Sequence, residues 1–117
     1  MKPLVLLIAF LIVGCSDVVD SHYSTYKEAS KSQLFARGWL PNILPESVTD
    51  ISVSNDLDQN TSVGSFVLQQ PELEIFLSQL SKVDSESDRF EYQQAQNVWV
   101  FSIEENGLVN YRMSVNR

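Results

Sequence analysis

Asn106-Gly107 narrows what this chain can become more than any other pair, because it sits between two runs rich in β-formers, NVWVFSIEE and LVNYRMSV. Asn and Gly both tolerate positive φ, which a tight turn of the hairpin type requires at its two central positions, so the pair predicts a β-hairpin. A two-residue turn pairs Glu105 with Leu108, and every later pair follows. On that register Val98, Val100, Ser102, Val109, Tyr111, Met113 and Val115 share one face, which reads as core. Trp99, Phe101 and Ile103 share the other with Asn110, Arg112 and Ser114. Two readings of that second face stand. Either a helix or the connector around Trp39 covers the aromatics, or they stand exposed beside Arg112 as a partner-binding stripe, the composition of interface hot spots. Arg112 stacking on the rings for stability is a variant of the first.

Upstream, Thr25-Tyr-Lys-Glu28 has the T-x-x-E form of a capping box and Gly38 supplies a left-handed stop, which predicts a helix from about Tyr26 to Arg37. The stretch WLPNILP (39–45) cannot continue it and reads as a connector pinned against the core, Trp39 included. Ile51 and Val53 alternate with serines in a short strand, and SVGSFVLQ (62–69) predicts a second. Between them Asp56, Asp58 and Asn60 match the first ligand positions of a calcium loop. Thr61 stands where that loop needs its turn glycine and Val67 where it needs its bidentate Glu, and a hairpin turn uses the same residue types. Pro71-Glu-Leu-Glu opens the clearest helix. Leu73, Phe76, Leu77, Leu80 and Val83 form its stripe, and Lys82 suits its C-terminal end.

The first fourteen residues follow a different logic. Lys2 is a short positive region, Leu4 to Val13 is an unbroken apolar run, and Gly14 is a small residue where a peptidase would cut. A membrane span needs about 20 apolar residues, and this run is too short. The order Ile12-Val13-Gly14-Cys15 resembles the lipobox of bacterial lipoproteins, with Ile12 where Leu is more usual. That resemblance implies that Cys15 is joined to a diacylglycerol, that the signal is cut just before it, and that the new terminus is acylated as well. It also explains a lone cysteine, since no second one exists to pair with it. Ser16 follows the cysteine and Asp17 comes one place later. In the Gram-negative members of the family this order favours the outer membrane, with the domain facing the periplasm. A further run, RGWLP, LPESVTDI and NDLDQN (37–60), resembles a signature of small bacterial proteins and implies no activity.

Removing residues 1–14 from 117 leaves the size of one small domain, with a globular balance of apolar and charged residues. Lys2 leaves with the signal, so the 8 basic residues fall to 7 against 15 acidic ones, and the net charge goes from −7 to −8. Such a surface repels phosphate backbones and anionic headgroups, which argues against nucleic acid and leaves membrane attachment to the lipid. His22 has no neighbouring Cys or His and reads as solvated. The acids of DSESDRFE (84–91) read as a solvated turn, and no motif names a catalytic set, a metal site or a cofactor.

The sequence therefore predicts a signal peptide (1–14), a lipidated cysteine with a tether (15–23), and one α+β domain (24–117) in which an antiparallel sheet packs with two helices. The function expected is a non-catalytic interaction module with an envelope protein as partner, either an assembly accessory or an inhibitor or immunity protein. A periplasmic carrier of a small or apolar ligand is the alternative. Labelled palmitate is expected to enter the wild type and not Cys15→Ala; incorporation into both would contradict the lipobox reading.

Overall fold

The computed structural model describes residues 18–85 and 88–116, so Ile12, Val13, Gly14 and Cys15 lie outside the described residues. The described chain runs β1 (Val18–Thr25), α1 (Tyr26–Lys31), β2 (Thr49–Asp56), β3 (Thr61–Val67), α2 (Glu72–Ser78), β4 (Ser81–Lys82), β5 (Arg89–Gln94), β6 (Asn97–Ile103), a single turn of 3-10 helix (Glu105–Gly107) and β7 (Leu108–Val115). The strands form one sheet in the order β1-β2-β3-β7-β6-β5-β4. All six ladders are antiparallel. Two meanders, β1 to β3 and β4 to β7, are thus joined edge to edge through β3 and β7. The join obliges the chain to leave β3 at the sheet centre and return at the far edge, and α2 is that crossing.

One face of the sheet is covered by α1, the 32–48 connector and α2. Under α2, Phe76 meets Phe101 edge-on at 5.2 Å and Phe66 at 5.8 Å, while Phe66 meets Phe101 at 6.1 Å. Such edge-to-face pairs add to the gain from burying the rings. Leu40, Pro41, Leu44 and Val48 seal the other half of the face, so the proline-bearing connector is pinned against the core as expected. It also covers Trp99. The indole N–H donates to the Trp39 carbonyl at 2.9 Å, and the Asn97 amide donates to the Gly38 carbonyl at 3.2 Å.

The hairpin register differs from the expected one by a single residue. The Asn-Gly turn forms, with φ of 62° at Asn106 and 80° at Gly107, and the Leu108 N–H donates to the Glu105 carbonyl. The Leu108 carbonyl, however, accepts from the Glu104 N–H at 2.8 Å, so Glu104 and Glu105 together oppose Leu108 as a bulge. Trp99 now pairs with Met113, Phe101 with Tyr111 and Ile103 with Val109. Burial decides why. A two-residue turn sets Trp99, Phe101 and Ile103 beside Asn110, Arg112 and Ser114, so either face would bury polar residues or strand large rings in water. The bulge unites both apolar sets, and each buried ring contributes several kcal/mol, on the order of 25 cal/mol per Å² over 150–250 Å². Val98, Val100 and Ser102 move to the opposite face, which corrects the core expected for β6.

Local differences have local causes. The capping box of α1 is present, with Thr25 Oγ1 accepting from the Glu28 N–H and Glu28 Oε1 accepting from the Ser24 N–H. The helix ends at Lys31 rather than Arg37, because Gln33 takes positive φ (61°) and the chain continues as turns that bury Leu34. In α2 Leu73 and Phe76 are buried and Leu77 packs at the core margin, as does Leu80 just past the helix end. Lys82 and Val83 lie beyond the helix. Lys82 sits in β4 over the Phe90 ring, and Val83 is exposed. Residues 18–23, expected as tether, are the edge strand β1, ladder-paired from Val18 onward.

Phe101→Ala is expected to cost about 3–5 kcal/mol in urea denaturation, whereas Arg112→Ala stays within about 0.5 kcal/mol of the wild type. The reverse ranking would contradict the bulged register.

Candidate functional site

With helices and connector on one side only, the alternation that buries Ile51, Val53, Phe66, Phe101 and Tyr111 turns the intervening residues onto a face that no described element covers. Arg112, at the middle of β7, pairs directly with Val63 of β3 and with Val100 of β6. The row Val63-Arg112-Val100 therefore crosses the centre of this open face, and Val63 and Arg112 are exposed. Shallow hollows lie on either side. One of about 530 Å³ lies over β1 to β3 and includes Asp20, His22, Ser52 and Ser54 in its lining. The other, of about 360 Å³, includes Arg89, Ser102 and Asn110. An arginine flanked by apolar side chains and rimmed by serines and asparagine has the make-up of a recognition surface, with a planar donor fork at its centre for a partner carboxylate.

Behind the same strands runs a buried polar chain. Ser62 Oγ donates to Asn55 Oδ1 at 2.6 Å and lies 2.8 Å from the Tyr111 hydroxyl. A serine hydroxyl has one proton, and here it serves Asn55, so Tyr111 donates to Ser62. Burial pushes the Tyr111 phenol well above its ordinary value of 10.0. A phenol held this firmly protonated is a structural donor. The Tyr111 ring, in turn, packs against Gly64, its direct partner on β3, where any added Cβ would meet both the ring and the Ser52 carbonyl. Large aromatic beside small glycine is what lets β3 and β7 approach with the core filled.

A further cleft, of about 180 Å³, lies on the covered side between β1 and the connector and is lined in part by Val19, Leu34, Arg37, Trp39 and Leu57. It is smaller than the roughly 300–1,000 Å³ usual for small-molecule pockets. Among the described residues no group of three or more His, Cys, Asp or Glu is arranged to hold a metal. In the acidic turn, Asp56 Oδ1 accepts from the N–H groups of Asp58 and Gln59, both at 3.1 Å, and Asn60 takes positive φ (55°). That is the Asx geometry of a hairpin turn.

The four residues read as a partner-binding stripe do not share a face. Trp99 and Phe101 are 1% and 0% exposed, Ile103 packs at the core margin, and only Arg112 faces water. The cause is the one-residue bulge at Glu104–Glu105. Sequence reasoning missed Val63 and Val100 as the neighbours of Arg112. It also missed Asn55, although a polar residue in phase with Ile51 and Val53 was a signal that a buried partner had to exist.

Residues 17–67 match the family model described as the YbbD head domain. The match takes in β1, α1, the connector, β2 and β3, and it stops at the last residue of β3, so the second meander lies beyond it. It supports the resemblance of this segment to a family of small bacterial proteins. No curated protein and no solved structure matches the chain.

The Tyr111 phenol sets a pH dependence. Above about pH 10 the unfolded phenol ionises while the folded one keeps its proton, so the folded state binds more protons and stability falls by up to about 1.4 kcal/mol per pH unit. Its contribution is complete below that pH and is lost as pH rises. Tyr111→Phe should flatten this alkaline fall in urea titrations; an unchanged slope would contradict the buried placement.

Proposed function

We propose that this chain is a bacterial lipoprotein, acylated at Cys15, whose domain is a non-catalytic interaction module of the cell envelope. The open face centred on Arg112 is the surface that meets its partner. The lipid holds the domain at one membrane, the periplasmic face of an outer membrane by the Ser16-Asp17 order, and raises its effective concentration near partners there. The signal peptide and lipidated cysteine precede an α+β domain with no long spacer, since β1 begins at Val18.

The observation that carries the reading is the row Val63-Arg112-Val100 on a sheet face left without a covering layer. An envelope assembly accessory and an inhibitor or immunity protein use such a face in the same way, by docking a complementary surface against it. Arg112 favours a partner with a carboxylate at the centre of contact, while the net negative charge of the rest of the chain favours basic groups around it. The carrier reading has the 180 Å³ cleft in its favour and the cleft's size against it.

A photo-crosslinking residue in place of Val63 tests the proposal in producing cells. A discrete protein adduct is expected, and Arg112→Glu should abolish it while the same probe at Ile75, exposed on α2, gives none. Binding of the purified partner to Arg112→Ala should weaken by about 30-fold, the equivalent of a 2 kcal/mol hot spot. An adduct at Val63 that survives Arg112→Glu unchanged, or no adduct there at all, would overturn the assignment of the face.

A further inference from the structure

Three of the exposed large apolar side chains gather at one end of the sheet. Val18 and Val19 begin β1 and are 48% and 47% exposed, and Leu57, which opens the turn after β2, is 55% exposed. The ladder brings them together. Val18 pairs with Asp56, the residue before Leu57, and Val19 pairs with Asn55. Val19 and Leu57 line the same small cleft. Since successive side chains of a strand point to opposite faces, Val18 and Val19 flank the edge on both sides, with Leu57 at its tip.

Cys15 is three residues before Val18, and three residue steps span at most about 11 Å. A lipidated cysteine sits at the level of the headgroups, so a chain this short holds the start of β1 against the bilayer. The end of the sheet that meets the membrane is then the one carrying Val18, Val19 and Leu57.

We infer that the domain rests directly on the lipid surface through this apolar tip. The contact adds to the acyl anchor and fixes the orientation of the sheet, with its strands rising from the membrane and its open face turned sideways. This rests on the reading of Cys15 as the acylated terminus. It also changes what the charge implied, because attachment no longer comes from the lipid alone. Asp56 and Asp58 share the tip, but the Asp56 carboxylate is turned back onto the N–H groups of Asp58 and Gln59. The contact is therefore shallow, three apolar side chains entering the headgroup layer with the turn's carboxylates at its rim.

The test uses the full chain, lipidated in a bacterial host and reconstituted in vesicles of phosphatidylethanolamine and phosphatidylglycerol. Acylation occupies Cys15, the sole cysteine, so Leu57→Cys provides one free thiol for an environment-sensitive nitrobenzoxadiazole label. Its emission should shift to the blue on reconstitution and be quenched by lipids carrying a headgroup spin label. Val18→Cys should behave alike, and Ile75→Cys, on the exposed side of α2, should do neither. Acylation is read independently from the mass of the N-terminal peptide. An acylated chain whose Leu57 and Val18 probes respond no more than the Ile75 probe would overturn the membrane contact and leave the anchor standing. A chain without acyl groups would overturn both.

Discussion

A single extra residue, the bulge that sets Glu104 and Glu105 against Leu108, decides which side of the sheet is core. Strand periodicity is two, so a shift of one residue exchanges the faces of a whole strand. With the bulge, Trp99, Phe101 and Ile103 join Val109, Tyr111 and Met113 beneath α2 and the connector. Without it, Trp99, Phe101 and Ile103 would lie beside Asn110, Arg112 and Ser114 on the face opposite Val109, Tyr111 and Met113, and no single face could bury both apolar sets. The aromatic cluster of Phe66, Phe76 and Phe101, the indole bond to the Trp39 carbonyl and the exposure of Arg112 all depend on this one irregularity.

That dependence also marks the limit of reading the chain from its residues. The capping box at Thr25, the Asn-Gly turn, the connector of prolines and the amphipathic start of α2 were legible, because each is a local preference of two to four residues. The bulge was not read, because turn chemistry at Asn106-Gly107 is satisfied equally with or without it; only the sum over both strands distinguishes the two registers. The clue was present all the same. Apolar residues sit at odd numbers on both sides of the turn, a phase that a two-residue loop cannot align. The strand at Val18–Thr25 was hidden for a related reason. Polar, exposed edge residues such as Asp20 and His22 resemble a tether until a ladder partner is known.

The two meanders divide the work. The first, matched by the family model, carries the apolar tip of Val18, Val19 and Leu57 and half of the open face. The second supplies Arg112, Val100 and the aromatic core on which the first is mounted. Their seam is the β3–β7 ladder, where Gly64 lies against the Tyr111 ring and Ser62 links Asn55 to the Tyr111 hydroxyl. A polar chain at a seam of otherwise apolar packing favours one alignment of β3 on β7, because any slip would leave buried donors and acceptors unpaired. The outer edges differ as well. β4 is two residues long and carries Lys82, which discourages pairing with another chain, while β1 is eight residues long with no lysine or proline.

The exposure of the Val63-Arg112-Val100 face rests on the register, and hydroxyl-radical footprinting of the wild-type protein tests it without any substitution. Trp99 and Met113 carry intrinsically reactive side chains, and the bulged register places both in the core. They should stay unmodified under native conditions and react only once the domain is unfolded in urea, while Val63 on the open face is oxidised from the outset. Rapid native-state oxidation of Trp99, with Val63 and Val100 protected, would mean that the sheet faces the other way and that Arg112 lies beneath the helices.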